Sequence, residues 1–322
     1  MTLLAGDIGG TKTVLALVDG PAITRRAVFP SARYADLSTL VHGFLGADRG
    51  RISHACFGVA GPVLDELCQA TNLPWRIDAR ALERQLSIQS VRLVNDFHAL
   101  AIGIGELPPT DLVVLHDAPS DPGGPWVVLG AGTGLGEAII VHGPCGREVI
   151  SSEGGHTDFA PRNELEMDLL RYLLRRHARV SYERVISGPG LAALYDFFRD
   201  RDPGAASPSV DAELAADLEQ RPACISAHAL AGDDPLCQRA LDLFVSLYGA
   251  EAGNLALKVV ARGGVYVAGG IAPRILPRLL DGAFEQSFLT KGRLSALLQR
   301  TPVYVVTNPD AGLLGAAAIA AR

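Results

Sequence analysis

No apolar run in the chain approaches the roughly 18 residues that a membrane-crossing helix requires. The first apolar stretch, Leu3 to Ala5, stops at Gly6 and Asp7. A secretory leader is therefore not expected, and a cytoplasmic setting is. Cysteine is scarce. The five present, Cys56, Cys68, Cys145, Cys224 and Cys237, form no C-x-x-C pair and leave one over from any pairing scheme, so they read as reduced thiols. The eight histidines form no H-x-x-x-H pair, and no Cys/His cluster with zinc spacing stands out, so a structural metal is not expected. Positive charge is in deficit as well. A net charge of −6 and the lack of a basic stripe argue against a nucleic-acid or anionic-membrane partner. An acidic chain can still hold ATP through backbone donors and a metal ion.

What the chain has in quantity is apolar residues and glycine. With 322 residues and 48% hydrophobic content it can build two cores, which predicts a two-domain globular protein. Residues 3–18, L-L-A-G-D-I-G-G-T-K-T-V-L-A-L-V, place two strand-like runs around a turn carrying Gly6, Gly9, Gly10, Thr11 and Lys12. Glycines let backbone N–H groups approach an anion without a Cβ in the way, and Asp7 at the mouth suits Mg²⁺ rather than phosphate. No G-K-[ST] opening a helix follows, so this is not a Walker loop; an ordinary hairpin turn with a surface aspartate fits the stretch equally well. Residues 127–141, V-V-L-G-A-G-T-G-L-G-E-A-I-I-V, repeat the arrangement with Gly130, Gly132, Thr133, Gly134 and Gly136.

Further elements follow from periodicity and punctuation. Strands are expected at 22–29, 52–60, 91–94, 112–116, 145–151 and 302–306 and from 263 to Gly269-Gly270, and helices at 35–45, 96–105, 164–177, 235–261 and 312–321. Asp96, after Asn95 at the carboxyl end of a strand, reads both as a helix N-cap and as a cleft residue. Five prolines between 108 and 125, with Gly123-Gly124, mark the passage between halves. Asn72, in T-N-L-P-W, sits in a turn where Asn commonly opens a turn before Pro. Residues 200–235, rich in Pro, Ala, Asp and Ser, read as a partly helical surface excursion.

Two such hairpins about a hundred residues apart resemble the actin-like ATPases and sugar kinases. With V-N-D-F-H-A-L-A at 94–101, S-E-G-G-H-T-D-F-A-P at 152–161 and S-Y-E-R-V-I-S-G-P-G-L at 181–191 added, the chain resembles the bacterial glucokinases of the hexokinase-like class from residue 3 to about Leu314. It lacks the Cys-rich zinc motif that usually follows E-x-G-H in the related repressor and kinase family. The resemblance implies an α/β, two-lobe actin-like (ribonuclease H-like) ATPase/hexokinase fold with the active-site cleft between lobes. The small lobe would be 1–105 plus 307–322, and the large lobe 106–306. It further implies ATP-dependent phosphorylation of glucose at its 6-hydroxyl, with ATP and Mg²⁺ as cofactors and a homodimer as the assembly. Phosphoryl transfer to an alcohol calls for a carboxylate within reach of the attacking hydroxyl, which makes Asp96 the candidate base. By resemblance, Asn72, Asn95, Glu153, His156 and Glu183 bind the sugar, and Gly269 and Gly270 take adenosine. Lys12 departs from the Asn that enteric-type glucokinases tend to carry after G-G-T. A kinase for another hexose or N-acetylhexosamine, or a sugar-sensing regulator, would share these motifs, though a regulator would need a helix-turn-helix ahead of the first hairpin.

Overall fold

The computed structural model describes residues 2–322 apart from Pro21, Thr71, Asn72 and Cys145, with Arg49 described in its backbone alone. Asn72 thus lies outside the described residues. The chain divides into two compact units, one of residues 1–111, 149–151 and 308–322, the other of 112–148 and 152–307.

The first unit opens with β1 (Thr2–Ile8), β2 (Lys12–Asp19) and β3 (Ala22–Pro30). The apolar runs in β1 and β2 are continuous rather than alternating because both faces of their sheet are covered. Leu4, Ile8, Leu15 and Leu17 point into one core, and Leu3, Ala5, Val14, Ala16 and Val18 into another. Helix α1 (Leu37–Leu45) is capped by Asp36, whose carboxylate accepts the Thr39 N–H at 2.7 Å. There follow β4 (His54–Val59), a small antiparallel sheet of β5 (Val63–Leu64), β6 (Leu67–Gln69) and β7 (Arg76–Asp78), then α2 (Ala79–Leu86), β8 (Ser90–Asn95) and α3 (Asp96–Ile104). The main sheet runs β3-β2-β1-β4-β8, antiparallel through the first three strands and parallel from β1 to β8.

In the second unit, β9 (Leu112–His116), β10 (Trp126–Ala131), β11 (Leu135–Gly143) and β12 (Gly146–Ser152) precede α4 (Glu164–Leu173), α5 (Gly188–Arg201), α6 (Pro208–Ala216) and α7 (Arg221–Ala231). The long α8 (Pro235–Val259) leads into β13 (Gly264–Ala268), the short α9 (Leu276–Leu279), α10 (Ala283–Leu289) and α11 (Ser295–Leu298), and β14 (Val303–Val306). Its sheet runs β12-β11-β10-β13-β14-β9. Apart from the extra edge strand β9, this repeats the strand order of the first unit. The chain ends in α12 (Ala311–Ala320), which packs on α3 and β1 of the first unit. A Cβ at Gly103 of α3 would run into the backbone of Ala311, and one at Gly315 into the carbonyl of Ala99, so only glycine permits this crossing. The same device seats α10 on α8, where a Cβ at Gly249 would meet the Phe284 carbonyl.

Some boundaries differ from expectation. The helix expected over 164–177 ends at Leu173, before a string of turns. S-G-P-G opens α5, a helix not among those expected: Ser187 accepts the Gly190 N–H at 3.0 Å, and Pro189 sits in the first turn, where its missing donor costs nothing. The α8 helix stops at Val259 because Val260 turns left-handed at φ 52°, two residues short of the expected end.

Candidate active site

The first hairpin closes on the pair Ile8 and Thr13, leaving Gly9 to Lys12 as its turn. Gly9 N–H donates to the Lys12 carbonyl at 3.0 Å, and a third strand end braces the bend. Ser31, just past β3, donates its hydroxyl to the Gly9 carbonyl at 2.8 Å and shares a 2.9 Å hydrogen bond with Thr13. Both Ser31 and Thr13 are fully buried. Sequence reasoning missed Ser31, which no motif marks.

Asp7 pairs with Val14, one rung behind the closing pair, and is partly accessible. Desolvation raises its carboxyl above the ordinary carboxylate range, Lys12 and Arg26 pull it down, and Asp310 pushes it up again. A hard oxygen donor whose charge the surroundings leave undercompensated suits Mg²⁺, which typically takes one or two carboxylates and completes its shell with phosphate and water. The residues present therefore fit such an ion. Arg26 is itself held by Asp310 at 2.8 Å.

Of the two readings open for Asp96, helix N-cap and cleft residue, the structure removes the first. The N-cap is Asn95, whose Oδ1 accepts the Phe97 N–H at 2.9 Å and the His98 N–H at 3.3 Å, while its Nδ2 donates to the Gly61 carbonyl at 3.3 Å. Asp96 is the first helical residue, and its Oδ1 also accepts the Phe97 N–H, at 2.9 Å. It stands at a helix N-terminus, where the macrodipole favours negative charge. Gly58 of β4 lies beneath it: a Cβ there would come to 3.4 Å from the Asp96 Cα and 3.1 Å from the Ala99 Cβ.

The second hairpin closes on Ala131 and Leu135, with Gly132, Thr133 and Gly134 as the turn. Gly132 N–H donates to the Gly134 carbonyl at 2.8 Å, and Gly188 N–H reaches back to the Gly132 carbonyl at 2.8 Å. Glu183 locks the other side. Its Oε2 accepts the Leu135 N–H at 3.0 Å, and a Cβ at Gly134 would stand only 2.5 Å from that oxygen. The other oxygen, Oε1, lies 3.8 Å from His156 Nδ1, and His156 Nε2 lies 4.0 Å from Glu153 Oε2. Glu153, His156 and Glu183, picked out separately in the sequence, thus meet beside the Thr133 turn, with His156 and Glu153 well exposed. Glu183 makes no salt bridge to Arg179 or Arg184 among the described residues. Arg179 instead donates to Asp158 Oδ1 at 2.9 Å and to the His156 carbonyl at 2.5 Å.

Behind this loop sits a residue no motif flagged. Glu137 of β11 is 1% exposed, and neither carboxylate oxygen has a hydrogen-bond partner among the described residues. Burial raises its pKa to about 7, with Glu251 adding to the rise and Lys258 opposing it. A Cβ at Gly154 would collide with this carboxylate, and one at Gly155 with the Leu135 carbonyl. Those contacts explain why the loop reads E-G-G-H. At the end of β13, Gly269 takes φ +83° and would clash with Ala131 at 2.5 Å if substituted, whereas Gly270 faces open space.

Cys56, Cys68, Cys224 and Cys237 are free thiols, while Cys145 lies outside the described residues. No motif marks them, but the fold gathers Cys224, His228 and Glu213. No helix among the described residues is long and apolar enough to cross a membrane.

The glucokinase family profile matches residues 4–322. A glucokinase of Nostoc punctiforme is 44% identical over 338 aligned positions, covering 99% of this chain and 99% of that protein. The crystal structure of a glucokinase from an Antarctic psychrotroph superposes with a TM-score of 0.83 at 33% identity, over 99% of this chain and 98% of that one. A Balamuthia mandrillaris glucokinase, solved in complex with glucose, shares the fold at TM-score 0.81 and 21% identity, over 100% and 94% of the two chains. With two glycine hairpins on a repeated sheet order and this near-complete match, the chain belongs to the glucokinase family and is a hexose kinase.

Proposed function

We propose that the protein transfers the γ-phosphoryl group of ATP to the 6-hydroxyl of D-glucose, giving glucose 6-phosphate. The observation that carries this reading is the meeting of Glu153, His156 and Glu183 beside a glycine turn. Two acids and an imidazole in mutual reach, partly open to solvent, suit a ligand dense in hydroxyls. Each carboxylate accepts from an O–H, and the imidazole can donate or accept. Sites of this kind reject a ligand lacking the matching hydroxyl far more strongly than apolar pockets reject a change of size.

Asp96 accepts the proton of the attacking hydroxyl. Asn95 fixes its position by capping α3 and keeps one amide N–H for the sugar, and Asn72 joins the set by resemblance alone. Backbone N–H groups of the turns at Gly9 to Lys12 and at Gly132 to Gly134 receive the phosphates, and the Lys12 ammonium adds a mobile positive charge. Mg²⁺ held by Asp7, directly or through water, supplies charge neutralisation on the phosphoryl oxygens when bound. Gly269 and Gly270 offer bare backbone to the adenosine. The protein acts as a cytoplasmic homodimer, which light scattering tests.

The test is a coupled assay over glucose, mannose, fructose and N-acetylglucosamine with ATP, ADP and polyphosphate as donors, run beside Asp96→Ala. Glucose with ATP should give the highest kcat/KM and Asp96→Ala should be nearly inactive. A higher value for another hexose or donor replaces the substrate assignment; an active Asp96→Ala removes the base.

A further inference from the structure

The excursion at 200–235, which the kinase reading leaves without a role, carries the one grouping of metal-ligating side chains found among the described residues. Cys224 and His228 are four apart on α7, so both project from one face of that helix. Glu213 comes from the neighbouring α6. Its Oε1 accepts from Cys224 Sγ at 2.9 Å and its Oε2 lies 3.2 Å from His228 Nε2. The three ligand atoms lie within 4.8 Å of one another. Behind them, α7 ends at Gly232, left-handed at φ 76°, and this bend brings Asp233 back onto the imidazole, 2.9 Å from Nδ1. A carboxylate on one ring nitrogen aims the lone pair of the other and raises its basicity, the arrangement that supports a metal-bound histidine.

We infer that Glu213, Cys224 and His228 form a binding site for one zinc-class divalent cation, with Asp233 orienting the imidazole and water filling the remaining position. Thiolate and imidazole donors select a borderline-soft ion over Mg²⁺ or Ca²⁺. The spacing is close to what zinc requires. Bonds of about 2.3 Å to sulfur and about 2.1 Å to nitrogen and oxygen put tetrahedral neighbours roughly 3.4–3.6 Å apart, so the Glu213–His228 pair at 3.2 Å is near that spacing and the Glu213–Cys224 pair at 2.9 Å has to open by several tenths of an ångström. The charges balance too: one thiolate and one carboxylate neutralise the ion.

Binding displaces the Cys224 thiol proton, and any proton on the imidazole nitrogen that faces Glu213, in exchange for the cation. Burial and the contact with Glu213 raise the Cys224 thiol to about 11, and the hydrogen bond to Asp233 leads the upward shift of His228. Metal affinity must therefore climb with pH across the neutral range, by about tenfold per unit for the thiol proton alone. The ion would tie α6 to α7 in the second unit.

The experiment uses the full chain, stripped with chelator and titrated with Zn²⁺ against a chromophoric competitor, then with Co²⁺ followed by its absorption spectrum. One equivalent should bind, the cobalt form should show tetrahedral bands and a thiolate-to-metal charge-transfer band, and Cys224→Ser should abolish that band while keeping kinase activity. Cys224→Ser and His228→Gln should each weaken zinc binding by about a hundredfold or more, and Asp233→Asn by about tenfold. Absence of an equivalent tightly bound, a cobalt spectrum without the charge-transfer band, or zinc affinity unaltered in both variants overturns the site. Should either variant fail to fold, the cobalt spectrum of the unaltered protein decides alone.

Discussion

The two hairpins are built on the same strand order and differ in where they carry charge. Counted from the closing pair, the rung behind holds Asp7 and Val14 in the first hairpin and Gly130 and Gly136 in the second. Two residues past the closing pair on the returning strand, the first has Leu15, fully buried in the core, and the second has Glu137, equally buried but ionisable. The braces differ in kind as well: a neutral serine hydroxyl ties the first turn, while a carboxylate that also faces His156 ties the second. One scaffold, used twice, therefore separates the work. On the proposed reading the first unit supplies the acids for metal and proton together with the Asn95 amide, and the second supplies Glu153, His156 and Glu183 for the sugar.

The sharpest way to break that division is Asp96→Asn. Turnover should fall between about a hundredfold and ten-thousandfold, with sugar affinity within a few-fold, in steady-state kinetics and equilibrium titration. A matching loss of affinity would put Asp96 with the gripping groups. Next in size is the buried Glu137. Its folded-state pKa, about 7, lies above its unfolded one, so the folded chain holds an extra proton between about pH 4.5 and 7. Stability from this group is then present at low pH and lost as pH rises through 7, by up to about 3 kcal/mol. Glu251, Lys258 and Tyr248 face it from α8 and are common to protein and variant. Denaturant unfolding of Glu137→Gln against the unaltered protein should show their stability difference shifting in the variant's favour over that window, and a constant difference would dismiss the effect.

Gly155→Ala drives a methyl group into the Leu135 carbonyl and should cost about 2 kcal/mol, with a raised KM for sugar and an unchanged KM for ATP. Equal changes in both constants would mean the loop does not belong to the sugar side. The smallest effect is expected of Ser31→Ala in the first hairpin. It strips Thr13 of a buried partner and the Gly9 carbonyl of a donor, for about 1 kcal/mol in chemical denaturation. Here the KM for ATP should respond and that for sugar should not.

Much of the fold was legible because its signals are local. The apolar runs of β1, β2, β10 and β11 and the turn glycines act within a few residues, whereas the caps at Asp36 and Ser187, equally local, went unread. What escaped was tertiary in origin. Asn95 rather than Asp96 caps α3 because the carbonyl of Gly61, 34 residues away, holds its amide. Ser31 reads as an unremarkable serine until β3 delivers it to Gly9. Glu137, in an amphipathic-looking strand, gave no hint of burial, since the helix that covers it follows a hundred residues later. Cys224 and His228 have helical spacing, yet only the packing of α6 adds Glu213.

Amino-acid order alone determined the bends, the strands between them and the residue types able to handle a sugar and a phosphate, since steric freedom and periodicity act between near neighbours. Which of those groups touch was decided by the folded chain. Glu183 finds the Leu135 amide across 48 residues of sequence. Contacts at that range depend on how helices and sheets stack, a property of shape and volume that no short stretch of sequence encodes.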